Sequence, residues 1–230
     1  MSSKKEKLDT GKVGGVAFFL SLLAIIMLAG LSLSVLPKVL MSRAKTDSFL
    51  WSAAGLALGV LISRAIRGKP AVLIHELKHS ILSNFIGNKW KEIKVRSRSG
   101  HFEYGYYKST AKYNAFISLA PYWLPLFSLV AVPVAYAALY PHHHFMLILA
   151  SAAYGCDLAL SYRDISPHQS DLSDIRGGYP VAMVYIAAIN LLLIAIFIAW
   201  VPEGFGSLKE FGIQFWNLVK SLATSFYSLR

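Results

Sequence analysis

Long apolar blocks alternate with short polar ones along this chain. Val13 to about Leu36 carries no charge. It is long enough to cross a bilayer, which takes ~20 apolar residues. Lys38, Arg43 and Lys45 then fall in a short predicted loop, and Phe49 to about Ile66 forms a second, shorter span ending in Arg64 and Arg67. Gly68-Lys69-Pro70 reads as a helix stop followed by a helix start, because glycine suits the residue after a helix and proline the first turn of one. Ala71–Ile86 is therefore predicted as a separate helix. It is too short to span, so it is expected to dip into the membrane or pack against other helices.

The middle of the chain changes period. Ile93 and Val95 alternate with Lys94 and Arg96; Phe102, Tyr104 and Tyr106 alternate around Glu103 and Gly105. Arg98-Ser-Gly100 separates the two runs, so a β-hairpin at the membrane surface is expected. Tyr113–Tyr140 is again apolar, bent or broken by Pro121, Pro125 and Pro133. His142-His-His144 marks a turn, Phe145–Tyr162 a further span, Arg163–Gly178 a polar loop, and Tyr179–Val201 the last span. In the tail, Leu208, Phe211, Phe215, Leu218, Leu222 and Phe226 recur at helical spacing, with Lys209, Glu210, Asn217, Lys220 and Ser221 between them. That is an amphipathic helix, lying on the membrane or packing on the bundle.

The predicted fold is thus an all-α polytopic membrane protein. It has about five transmembrane helices, one short polar-bearing helix, a small surface hairpin and a C-terminal amphipathic helix. One transmembrane domain covers 13–202, between a disordered basic N-terminus at 1–12 and the amphipathic helix at 203–230. Composition agrees: of 230 residues 55% are hydrophobic and 15% charged, where soluble domains have roughly 25% charged. Mean hydropathy is +0.49.

The formal charge of +11 changes the picture only in one respect. The positive residues cluster beside apolar spans, so they read as topology signals and anionic-lipid contacts rather than a nucleic-acid surface. Lys89, Lys91, Lys94, Arg96, Arg98, Lys108 and Lys112 outnumber Glu92 and Glu103, which puts the hairpin on the cytoplasmic side. Counting spans from there places the N-terminus and the Arg163–Gly178 loop on the same side. The Lys38–Lys45 loop falls outside, a mild violation. The lone Cys156 excludes an intrachain disulfide and a Cys-x-x-Cys motif.

The candidate chemistry lies in Ala71-Val-Leu-Ile-His-Glu-Leu-Lys-His-Ser-Ile-Leu82. His75 and His79 share one helix face. Two imidazoles so spaced can bind one Zn2+, and Glu76 sits where it can act as general base toward a water that the metal acidifies. The bland alternative is an amphipathic helix with its polar face at the headgroups. Lys78 alone would fit that by snorkelling, but ionisable residues within apolar segments are costly and tend to be functional. A catalytic zinc needs a third protein ligand. The loop Tyr162-Arg-Asp-Ile-Ser-Pro-His-Gln-Ser-Asp-Leu-Ser-Asp174 offers Asp164, His168, Asp171 and Asp174. Asp171 is the first choice and Asp174 the second; the alternative for Asp171 is a helix cap or turn former. Asp157, inside an apolar span, would pair with a basic partner or line a cavity.

These residues resemble the site-2 protease family of intramembrane metalloproteases. The pattern is His75-Glu76-Leu77-Lys78-His79, a polar hairpin, the span Ser118-Leu-Ala-Pro-Tyr-Trp-Leu-Pro125 and a later aspartate-bearing loop, together covering roughly residues 50–180. The chain departs from the family at Lys78, where a small residue is usual. Ser166-Pro-His-Gln-Ser-Asp171 also does not match the family's N-P-x-P-x-x-D-G signature. The resemblance implies one Zn2+ per chain near the cytosolic face, reached by water through a polar cleft. It implies hydrolysis of a membrane-protein or peptide substrate. An extended substrate segment could add to Phe102–Tyr106 as an extra strand, and Asn114 could donate to the oxyanion; alternatively the hairpin caps the bundle with its tyrosines at the headgroups. The competing expectation is a non-enzymatic membrane protein: a transporter, an assembly factor, or an inactive protease-like binder of transmembrane partners.

Overall fold

The computed structural model describes residues 15–43, 46–96, 99–105, 107, 109–139 and 143–228. Helices dominate. In chain order they are α1 (Val16–Arg43), α2 (Thr46–Ala65), α3 (Lys69–Phe85), α4 (Asn114–Leu119), α5 (Leu126–Leu139), α6 (His143–Arg163), α7 (Ser170–Ser173), α8 (Gly178–Trp200) and α9 (Phe205–Ser228). Two strands, β1 (Lys89–Val95) and β2 (Gly100–Gly105), follow α3. Among the described residues four helices, α1, α2, α6 and α8, are long and apolar enough to cross a membrane, or there are up to five spans if the broken pair Ala111–Tyr122 and Leu126–Leu139 counts as one.

The local structure follows the chemistry of particular residues. Gly68 ends the stretch after α2 with φ 63°, a left-handed conformation that costs glycine little. Pro70 then opens α3, which falls short of a span. The hairpin pairs Ile93 with Phe102 and Trp90 with Tyr104, with an irregularity between Trp90 and Glu92. The turn closes through Arg96 N–H on the Ser99 carbonyl at 2.8 Å. Lys91 and Glu103 form an exposed ion pair at 2.9 Å. The expected break at the prolines occurs between Leu119 and Leu126, whereas Pro133 lies inside an uninterrupted α5.

The loop expected at Lys38, Arg43 and Lys45 needs correction. Lys38 and Arg43 are not in a loop: α1 runs through Pro37 to Arg43. A proline removes a single helical hydrogen bond, and here Val35, Leu36 and Val39 on either side of it are buried. Lys45, Arg98, Tyr106, Lys108, His142 and the predicted disordered stretch 1–12 lie outside the described residues.

Two compact units are present. The first takes Met1–Leu22, Ile66–Leu124 and Ser161–Ile186, and so holds α3, the hairpin, α4 and α7. There Phe18 stacks on Tyr185 with rings 5.2 Å apart, and Phe116 meets both rings edge-on. The second takes Leu23–Ala65, Pro125–Leu160 and Ala187–Arg230. In it Ser52, Gly55 and Gly59 make a buried stripe on α2 that α6 approaches backbone to backbone. Leu208, Phe211, Phe215 and Leu218 of α9 pack on Val35, Leu36 and Val39 of α1 and on Ala199 of α8. The amphipathic helix thus packs against other helices along this face. Asp157 lies against the start of α5, accepting from Phe127 N–H (3.1 Å), Ser128 N–H (2.8 Å) and the Ser128 hydroxyl (2.9 Å). A buried carboxylate is well satisfied by the free N–H groups of a helix start.

Candidate metal centre

α3 supplies two imidazoles from one face. Their rings lie 5.1 Å apart at 70°. The loop after α6 returns to that face, and the single-turn α7 presents Asp171 to both rings. Asp171 Oδ2 is 3.2 Å from His75 Nε2 and 3.3 Å from His79 Nε2. Asp171 is not the cap of α7; Gln169 holds that position. His75, His79 and Asp171 form a group able to hold a metal ion, with their ligand atoms all within 4.8 Å of one another.

The second nitrogen of each ring is equally constrained. His79 Nδ1 lies 2.6 Å from the Ile117 carbonyl oxygen. A carbonyl only accepts, so Nδ1 carries the proton. His75 Nδ1 lies 3.1 Å from Asp164 Oδ2, again an acceptor. A neutral ring with its proton on Nδ1 turns a bare lone pair outward at Nε2. Both lone pairs then point at the Asp171 carboxylate, an arrangement stable only with positive charge between them, as protons or as a cation. Tetrahedral zinc with bonds of ~2.0–2.2 Å sets its ligand atoms about 3.3–3.6 Å apart, close to the spacing here. Metal-bound histidines commonly give their other N–H to a carboxylate or carbonyl, as both of these do. The donor set therefore fits a divalent cation.

Electrostatics follow from this geometry. Burial alone would push His75 down, but its hydrogen bonds to Asp164 and Asp171 and their charges outweigh that and hold it up at about 9. Burial likewise works against an ionised Asp171, yet the two imidazoles hold its carboxyl well below the usual carboxylate range. Glu76 is buried, and burial pushes its carboxyl up against the opposing pull of His79 and His75. That is the direction a general base needs. Its carboxylate packs under the hairpin: a Cβ at Gly100 would fall 2.7 Å from Glu76 Cγ.

The remaining residues named from sequence are distributed as follows. Asp164 is in the cluster as the partner of His75 Nδ1. Asp174 is exposed and takes the Ser173 hydroxyl at 3.2 Å; it is not among the ligand group. His168 is exposed. Phe102 and Tyr104 stack at 5.2 Å, and the Tyr104 hydroxyl donates to Asn114 Oδ1 at 3.4 Å. Lys78 does not snorkel. It is 1% exposed, and its ammonium donates to the Pro121 carbonyl at 3.2 Å and to Ser161 Oγ at 3.1 Å. The same carbonyl also accepts from the Ser161 hydroxyl at 2.9 Å, so the ammonium, the hydroxyl and the carbonyl satisfy one another inside the fold.

Sequence reasoning missed Tyr122, whose ring meets His75 edge-on at 5.7 Å and 87°. It also missed the carbonyls of Ile117 and Pro121. Their signal was present as two prolines four positions after them. No family model, no curated protein and no solved structure matches the chain.

Proposed function

We propose that this chain is a membrane-embedded zinc metalloprotease of the site-2 protease type, which hydrolyses peptide bonds in or near transmembrane segments. The observation that carries the reading is the convergence of His75 Nε2, His79 Nε2 and Asp171 Oδ2 beside the buried carboxylate of Glu76. His75, Glu76 and His79 are ionisable groups gathered within an otherwise largely apolar stretch of α3, which is costly unless they serve a site.

Bound by His75, His79 and Asp171, zinc would supply Lewis acidity, acidifying water and polarising a peptide carbonyl. The chain's own residues do the rest. Asp164 and the Ile117 carbonyl hold the two rings in the tautomer that offers Nε2. Glu76, with its carboxyl raised by burial, accepts a proton from the attacking water and returns it to the leaving amine. A transmembrane substrate must first expose its peptide groups, and the edge of β2, which no third strand pairs among the described residues, suits an extended segment added as a further strand. Asn114, whose Oδ1 accepts from the Tyr104 hydroxyl, is the amide suggested for the oxyanion. The lysines and arginines of β1 and its flanks favour a cytoplasmic site and N-terminus.

The test is purified protein in detergent or vesicles, with zinc content and cleavage of a transmembrane reporter measured together. Glu76→Gln should keep about one zinc per chain and lose cleavage by ~10²–10⁴-fold. Asp171→Ala should lose both, and Asp174→Ala neither. A wild-type protein that takes up no supplied zinc would overturn the proposal, as would full cleavage by Glu76→Gln. A non-enzymatic binder would show bound metal with no cleavage in any variant.

A further inference from the structure

The span Ser118-Leu-Ala-Pro-Tyr-Trp-Leu-Pro125 carries prolines at 121 and 125. In a helix, the carbonyl of residue i accepts from the N–H of residue i+4. Proline has no N–H. Pro121 therefore cannot occupy the carbonyl of Ile117, and Pro125 cannot occupy the carbonyl of Pro121. Both carbonyls find side chains of α3 instead. Ile117 keeps one short-range bond from Ala120 N–H, and its oxygen also accepts from His79 Nδ1 at 2.6 Å. The Pro121 oxygen accepts from Lys78 Nζ at 3.2 Å and from the Ser161 hydroxyl at 2.9 Å. Ser161 also accepts from Lys78 at 3.1 Å and stands three positions before Asp164, the partner of His75.

We propose that Pro121 and Pro125 are positioning residues of the metal centre: by withholding two N–H groups they leave two acceptors one helical turn apart, which lock His79 and Lys78 of α3 in place. The Ile117 carbonyl fixes which nitrogen of His79 faces Asp171. The Pro121 carbonyl, through Lys78 and Ser161, ties α3 to the end of α6, from which Asp164 follows. A lysine within the H-E-x-x-H motif, unexpected for the family it resembles, is then part of the same device. The link to catalysis rests on the protease reading; the hydrogen-bond device itself does not.

The experiment uses full-length protein labelled with nitrogen-15 in histidine, in detergent, with ring-nitrogen resonances assigned by His75→Gln and His79→Gln variants. Wild-type protein should show His79 with a strongly hydrogen-bonded proton on Nδ1, without metal and with added Zn2+. Pro121→Ala restores an N–H that can take the Ile117 carbonyl; it should weaken or shift that signal and lower affinity for Zn2+ alone by ~10–100-fold. Pro125→Ala should leave the His79 signal in place and lower affinity less, because it acts through Lys78. Circular dichroism and elution volume establish folding for each variant. Absence of the Nδ1 proton on His79 in wild-type protein overturns the proposal even if no proline variant folds. So does a folded Pro121→Ala with unchanged signal and affinity. If wild-type protein binds no zinc, the protease reading fails, while the ring-nitrogen comparison still decides the role of Pro121.

Discussion

Asp164 Oδ2 lies 3.1 Å from His75 Nδ1, on the side of the ring away from Asp171. On the proposed metal-centre reading, this contact makes an aspartate that sequence offered as a third ligand the group that would orient His75. It predicts a particular defect. Asp164→Ala should leave the three ligand atoms in the chain yet lower zinc affinity by ~10–100-fold, because His75 can then rotate and change tautomer. Asp164→Asn, which still accepts through its amide oxygen, should recover most of that loss. Competition against a chelator of known affinity reads both. Equal affinity for Asp164→Ala and wild type would mean that the contact orients nothing.

How much of this was legible in sequence depends on distance along the chain. His75, Glu76 and His79 were visible because helical spacing alone puts them together. The turn into α3 at Gly68 and Pro70 was visible for the same local reason. Asp171 and Asp164 could be named as candidates but not given roles, since which carboxylate faces which nitrogen depends on how a loop some ninety residues away returns. Snorkelling is open to Lys78 from sequence because its partners, a proline carbonyl and Ser161, come from two other segments. The continuation of α1 through Pro37 was missed because burial of Val35, Leu36 and Val39 is a tertiary fact that outweighs a local breaking signal.

Acidity offers a separate check. In metal-free protein His75 stands at about 9, raised from 6.5. A raised imidazole contributes stability in full below 6.5, and that contribution is lost as pH rises through about 9. Asp171 is shifted the other way, so its contribution is present above its ordinary carboxylate range and is lost only in strong acid. Zinc needs the neutral imidazole, so its binding must displace the His75 proton. Metal-free protein should therefore lose thermal stability between pH 7 and pH 9, while zinc affinity rises by up to ~10-fold per pH unit over that interval. Chelator-buffered titrations with parallel melting curves measure both; an affinity independent of pH would contradict the raised imidazole.

The second unit makes a prediction independent of any chemistry. A Cβ at Gly59 would collide with the Ala152 carbonyl oxygen and fall 2.8 Å from both the Ala152 carbonyl carbon and Cys156 N. These are backbone atoms of α6 and cannot step aside as a side chain can. Gly59→Val should destabilise the protein by about 1–3 kcal/mol or prevent folding, while Gly30→Ala, with nothing within 4 Å of the added atom, should not. Thermal aggregation of the two variants in one detergent compares them. Equal stability would show that α2 and α6 do not approach this closely.

Gly100 opens β2 against Glu76, and two explanations for a glycine there can be separated. Its φ is not among the positive values found in the described residues, so its backbone can carry a side chain without strain. What an alanine lacks is room: its Cβ would meet Glu76 Oε1, fall 2.7 Å from Glu76 Cγ and 2.6 Å from Val72 Cγ1. The end of a glutamate can swing away, so the fold should survive and the carboxylate should move. Displacement of a base by about 1 Å can cost ~10²-fold in rate. Gly100→Ala should accordingly bind zinc like wild type and lose kcat by that order, with KM little changed. A steady-state analysis on the transmembrane reporter separates the two parameters. Unchanged kcat would mean that the glycine serves only the hairpin and that Glu76 does not depend on the space above it.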